Sequence, residues 1–146
     1  WLEKQVSERG LDNVLLLGRH PLEAMPPLFT TADALLVSLK TNEVFEKTIP
    51  GKVQAYLASG KPILGMIDGE ASRVIEEAGA GLACSSSDRA GFSKIVSQMA
   101  QMTSSQRQAM GASGKRYYEE NFSKEKLFSN LISLFRQATC RNGKSC

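Results

Sequence analysis

Residues Thr48–Gly65 constrain the fold of this chain more than any other stretch. Pro50 and Gly51 open a helix, and Val53, Tyr56 and Leu57 fall on one face of it. Gly60 stands where a helix C-terminus takes a residue with positive φ. Lys61-Pro62 stops any continuation, and Pro62–Met66 reads as an apolar strand. The order is therefore loop, helix, tight turn, buried strand. A polar loop leading into a helix N-terminus is an anion site by construction, because free N–H groups and the positive end of the dipole face the ligand. Lys52 in the first turn opposes that dipole, which predicts something negative beside it.

The rest of the chain repeats this alternation. Helices are expected over 1–9 (ending at Gly10), 22–31, 51–59, 72–78, 88–102, 104–121 and 123–138. Pro26 and Pro27 place the true start of the second helix at or near Pro26. Ser86 or Ser87 is the expected cap of the helix at 88. Strands are expected over 13–18, 34–38, 62–66 and 81–84, the first two apolar on both faces. Four alternations of strand and helix predict an α/β fold: a parallel, Rossmann-like sheet flanked by helices, with a helical C-terminus. Ligands of such sheets sit outside the carboxyl ends of the strands. The loops at Arg19–Pro21, Leu39–Pro50 and Asp68–Glu70 are thus expected to converge on one edge.

Composition narrows the function classes. A net charge of +3 with scattered basic residues does not call for nucleic acid. No run approaches the roughly 18 apolar residues of a membrane span. Cys84, Cys140 and Cys146 lack metal-ligand spacing and read as unpaired thiols of a reducing compartment, with Cys84 in the core. Gly60-Lys61 and Gly111–Lys115 have the wrong spacing for a phosphate-binding P-loop. No serine, histidine and acid form a recognisable triad pattern. Glu76-Glu77 reads as a solvated face and Tyr117-Tyr118 as packing.

In order and spacing these segments resemble the donor-binding part of family-four retaining glycosyltransferases of the GT-B fold. The likeness runs through 13–19, the Ala32-Asp33 unit within 25–38, the 48–65 stretch, 67–82 and 110–123. It implies transfer of a sugar from a nucleotide-diphosphate-sugar with retention of configuration, onto a surface polysaccharide or lipid-linked precursor. It implies donor and phosphate binding by Pro50, Gly51 and Lys52, with Glu46 and Lys47 in the preceding loop. Arg19 and His20 would bound the base pocket or be surface-loop residues, and Gly69 and Glu70 would belong to a further donor loop or a turn. No metal or other cofactor is implied, since cationic groups and helix N-termini replace it.

The chain departs from the family at one pair. Two glutamates eight positions apart are common there, and matching the Gly60 turn puts them at Lys47 and Ala55, neither acidic. The second would grip the ribose, so ribose recognition is altered. Glu43 or Glu46 is the candidate replacement for the first. A subset of the family uses a Pro-x-Lys helix start, as here.

The chain opens on Trp1 within a helical pattern and reads as a fragment. Residues 1–138 are expected to be a partial nucleotide-sugar-binding domain lacking its first strands, and 139–146 a flexible tail. The likeness implies an N-terminal acceptor domain as partner, a cytoplasmic setting that is peripheral to the inner membrane, and no activity in the isolated chain. A non-catalytic nucleotide-binding or structural α/β module and a GT-B sugar epimerase are the alternatives; the single histidine weakens the epimerase.

Overall fold

Three short strands, β1 (Leu35–Ser38), β2 (Ile63–Met66) and β3 (Gly81–Cys84), pair in parallel in the order β1-β2-β3. The computed structural model describes residues 1–40 and 46–141. Around the sheet run α1 (Leu2–Glu8), a 3-10 turn (Leu22–Ala24), α2 (Met25–Thr31), α3 (Gly51–Ser59), α4 (Glu70–Glu77), α5 (Arg89–Gln101), α6 (Ser104–Asn121) and α7 (Lys124–Arg141). The fold class is the expected one, a parallel α/β sheet flanked by helices.

The register puts Leu35 beside Ile63 and Ile63 beside Gly81. Ile63 is fully buried at the centre of a cluster with Val37, Val53, Leu57, Val74 and Ile75. Each such side chain contributes about 1.5–3 kcal/mol by leaving water. Val53 and Leu57 face inward from α3, as their spacing predicts, while Tyr56 is half-buried at the flank. Gly60 ends α3 in the left-handed region at φ 70°, so the turn into β2 forms as expected.

Helix α6 lies directly on that turn. A Cβ on Gly111 would stand 2.7 Å from the Gly60 carbonyl carbon, and one on Gly114 2.8 Å from Ala80 Cβ, so only glycine permits this approach. Ser113 Oγ donates to the carbonyl of Ala78 at 2.8 Å, satisfying the end of α4. Lys61 Nζ donates to Thr30 O at 2.8 Å, closing the end of α2, and Arg107 pairs with Asp33 at 3.2 Å.

Several expectations need correction. Residues 13–18 form no strand: a strand needs a ladder partner, β1 pairs only with β2, and Leu15 and Leu17 are 79% and 62% exposed. Strand β1 is covered on one face only, with Leu36 51% exposed. Helix α4 begins two residues earlier than expected, because Gly69 at φ 73° sets its start. Asp88 rather than Ser86 or Ser87 caps α5, its Oδ1 accepting from Gly91 N–H at 2.8 Å. Cys84 ends β3 half-buried, not in the core. The last helix runs to Arg141, past the expected end at Ala138. Tyr117 and Tyr118 pack on Phe122, as expected, with ring centroids 6.0 and 6.4 Å away.

Candidate functional site

Pro50 takes an extended conformation (φ −61°, ψ 142°) at the N-cap of α3, and no side chain among the described residues caps the helix. The Pro50 carbonyl accepts from Val53 N–H at 2.9 Å, which starts the helical ladder. The N–H groups of the first turn, Gly51 and Lys52 among them, have no carbonyl one turn back. Lys52 is exposed and forms no ion pair among the described residues. The start of α3 therefore carries the helix's positive end and an exposed lysine.

The loop before it is pinned by Gly69. That residue has φ 73° and ψ −148°, a region essentially restricted to glycine. A Cβ there would stand 2.7 Å from the Glu46 carbonyl carbon. The approach of Glu46 to Gly69 brings the loops leaving β1 and β2 together, so two of the three strand-end loops converge. Asp68 Oδ2 also accepts from Ser86 N–H at 3.1 Å, tying the β2 loop to the one after β3. Glu70 faces Arg73, and this hydrogen bond holds its carboxyl below the usual range. The Asp68–Glu70 segment is thus engaged within the protein, and its expected reading as a turn fits. Glu43 lies outside the described residues.

Beside the α3 start is a cleft of about 730 Å³ between α2 and α3, within the size range of small-molecule sites. Leu22, Met25, Pro26, Phe29 and Thr30 form one wall; Gly51, Lys52, Ala55, Tyr56, Ala58 and Ser59 form the other. Phe29 and Tyr56 meet edge-to-face at 5.3 Å, and burial raises the Tyr56 hydroxyl pKa. Ala55, where the glutamate pairing would place an acid, lines this cleft. Of these lining residues, the sequence reading had named Gly51 and Lys52 as candidates; Leu22, Met25 and Phe29 it placed only in an expected helix.

Arg19 and His20 sit in the irregular stretch before Leu22. Both are exposed, and His20 Nε2 forms a hydrogen bond with Leu17 O at 2.9 Å. In sequence they stand three and two residues before Leu22 of the cleft wall. Lys47 is exposed. Among the described residues there is no cluster of three or more metal-ligating side chains, and no helix is long and apolar enough to cross a membrane. A second depression runs along β3, lined by Cys84, Asp88 and Lys94 among others; burial, then Asp88 and Asp68, push the Cys84 thiol pKa up.

No protein-family model matches the chain. Over 141 residues it is 26% identical to the probable glycosyltransferase WbjE of Pseudomonas aeruginosa, a match covering 95% of this chain and 33% of that protein. In structure it is similar to a sucrose-phosphate synthase from Thermosynechococcus elongatus, with a TM-score of 0.72 and 17% identity over 96% of this chain and 34% of that one. The chain spans about a third of the length of each relative. The structural likeness shows a shared GT-B-type α/β fold; the sequence likeness is to a glycosyltransferase.

Proposed function

We propose that this chain is the donor-binding part of a retaining glycosyltransferase and holds a nucleotide-diphosphate-sugar at the start of α3. The observation that carries the reading is the uncapped helix start with Lys52, opening onto a cleft large enough for a nucleoside. The diphosphate would lie against the N–H groups of Gly51 and Lys52 and the Lys52 ammonium, a set of charge-assisted donors worth roughly 1.5–3 kcal/mol per bond. The base and its sugar would fill the space between α2 and α3. Glu46 and Lys47, held near Gly69, would reach the transferred sugar.

In the reaction the bond from the sugar's anomeric carbon to the diphosphate oxygen breaks, the acceptor hydroxyl oxygen bonds to that carbon, and the hydroxyl proton passes to the departing diphosphate. Negative charge builds on the leaving diphosphate, and the positive start of α3 would stabilise it where it forms. The acceptor, a surface polysaccharide or lipid-linked precursor, would dock on a separate domain of the whole enzyme. That enzyme would work in the cytoplasm, at the face of the membrane, without a metal ion.

This reading also accounts for residues 13–18. In a doubly wound sheet the third strand pairs with the second, and the fourth with the first. Residues 13–18 as third strand, with β1, β2 and β3 as fourth to sixth, would not pair with β1. Strands supplied elsewhere in the enzyme would lie between them and give each its missing ladder partner.

Calorimetric titration of UDP and GDP into the whole natural protein tests the proposal. Binding of at least one, weakened in the free nucleoside, is the expected result; no binding of either overturns it.

A further inference from the structure

Helix α7 stands in water along its length. Every residue of it from Lys124 to Thr139 is exposed. Leu127, Phe128, Leu131, Ile132, Leu134 and Phe135 are each between 46% and 63% exposed. At about 100° per residue these six share an arc of about 160°, a continuous apolar stripe. A helix of this length draws most of its stability from packing such a face. Here that face is left half open.

The charges beside the stripe are placed with a symmetry. The stripe is centred on Leu131. Glu125 stands six residues before it and Arg136 five after it, and both lie just beyond Ile132 on the same edge of the stripe. Neither pairs with another charge among the described residues. Where two copies are related by a two-fold axis at Leu131, antiparallel helices bring like edges together and opposite ends together. Glu125 of each copy then meets Arg136 of the other, so two ion pairs form at once. A parallel pair sets that edge against the other one, where Asn130 and Gln137 are uncharged.

We infer that α7 is a self-association helix: its apolar stripe takes the same stripe of a second copy, antiparallel, with the Glu125–Arg136 pairs on one flank. Six side chains, each about half open, offer on the order of 600 Å² per copy, so a pair buries roughly 1,200 Å², the lower end of the range for specific interfaces. Lys124 falls within the stripe at its end. Its ammonium lies 5.8 Å from the centre of the Phe128 ring, and its long stem lets the charge stay in water. A lipid surface fits the helix less well. A helix lying on lipid carries Lys and Arg along its polar face, whereas Ser129, Asn130, Ser133 and Gln137 fill most of that face here.

Sedimentation velocity of the whole natural protein over a range of concentrations tests this. A dimer in reversible exchange with monomer is expected. Leu131→Glu sets two carboxylates together on the two-fold axis and should weaken the dimer about 100-fold or more. Glu125→Arg should weaken it about tenfold, and Glu125→Arg combined with Arg136→Glu should restore it. All three positions are exposed, so the melting of the monomer should be unchanged. A natural protein that is monomeric at every concentration overturns the inference, whether another part of the same protein covers the stripe or, as flotation with anionic phospholipid vesicles would show, a lipid surface does. A dimer that Leu131→Glu leaves intact overturns it as well, and so does a charge swap that fails to restore what Glu125→Arg lost.

Discussion

Helices α3 and α6 begin in opposite ways. At the start of α6, Gln106 N–H donates to Thr103 Oγ1 at 3.2 Å and Thr103 N–H donates to Gln106 Oε1 at 2.8 Å, a reciprocal capping box. Helix α5 does half as much with Asp88. Helix α3 has no such device: Pro50 cannot donate, Gly51 has no side chain, and Lys52 brings a charge that the dipole disfavours. A helix that caps itself has little left to offer a ligand. On the donor-site proposal, one that starts bare and cationic would be completed by an anion. The contrast would then separate a start that serves the fold from one that serves a ligand.

The sharpest test of that contrast is Gly69→Ala. The substitution forces a Cβ into a glycine-only conformation and onto the Glu46 backbone. A stability loss of about 3 kcal/mol or more is expected in chemical denaturation. Nucleotide affinity falls with it, because the loop feeding α3 shifts. An unchanged midpoint would break the claim that the two loops are held together here.

Lys52→Ala comes next. Nucleotide-diphosphate affinity should drop by about 1–3 kcal/mol, with less effect on the nucleoside. Melting should not fall, since the lysine stabilises no part of the fold. Equal affinities in the two proteins would place α3 with the ordinary helix starts.

Thr103→Ala reverses the pattern. It should cost about 1 kcal/mol of stability and leave nucleotide affinity untouched. A change in affinity would mean the self-capped start is not merely structural.

The smallest effect belongs to Glu70→Gln. The Arg73 hydrogen bond lowers the Glu70 pKa in the folded state. Its contribution is therefore present above the ordinary glutamate value and lost as pH falls through the folded value. The pair is exposed, so the neutral-pH difference in melting temperature should be barely resolvable and should vanish in acid. A difference that grew on acidification would contradict this.

Local chemistry made much of this structure legible in advance. The α3–Gly60–β2 unit was readable because each of its boundaries is set by a neighbour in sequence: Pro50, Gly60 and Pro62. The strand expected over 13–18 failed for the opposite reason. Its apolar run is real, but a strand is defined by a partner, and sequence does not say which partner is present. The Asp88 cap was missed because three candidates stand in a row and only backbone geometry chooses among them. At the candidate site, the bare, cationic start of α3 was visible in the Pro50-Gly51-Lys52 order. The cleft beside it was not, because sequence does not say how far apart two neighbouring helices pack.

The two glycines of α6 have a mechanical consequence. Gly111 and Gly114 let the α6 backbone bear on the last turn of α3 and on Ala80. Helix α3 is thereby clamped at its far end, and Val53 and Leu57 hold it to the sheet core along its length. A rod about 13 Å long held at more than one point does not swing. A pull on Lys52 is shared between the sheet core and α6. The seat on α6 is stiff because the Gly111 and Gly60 backbones meet there.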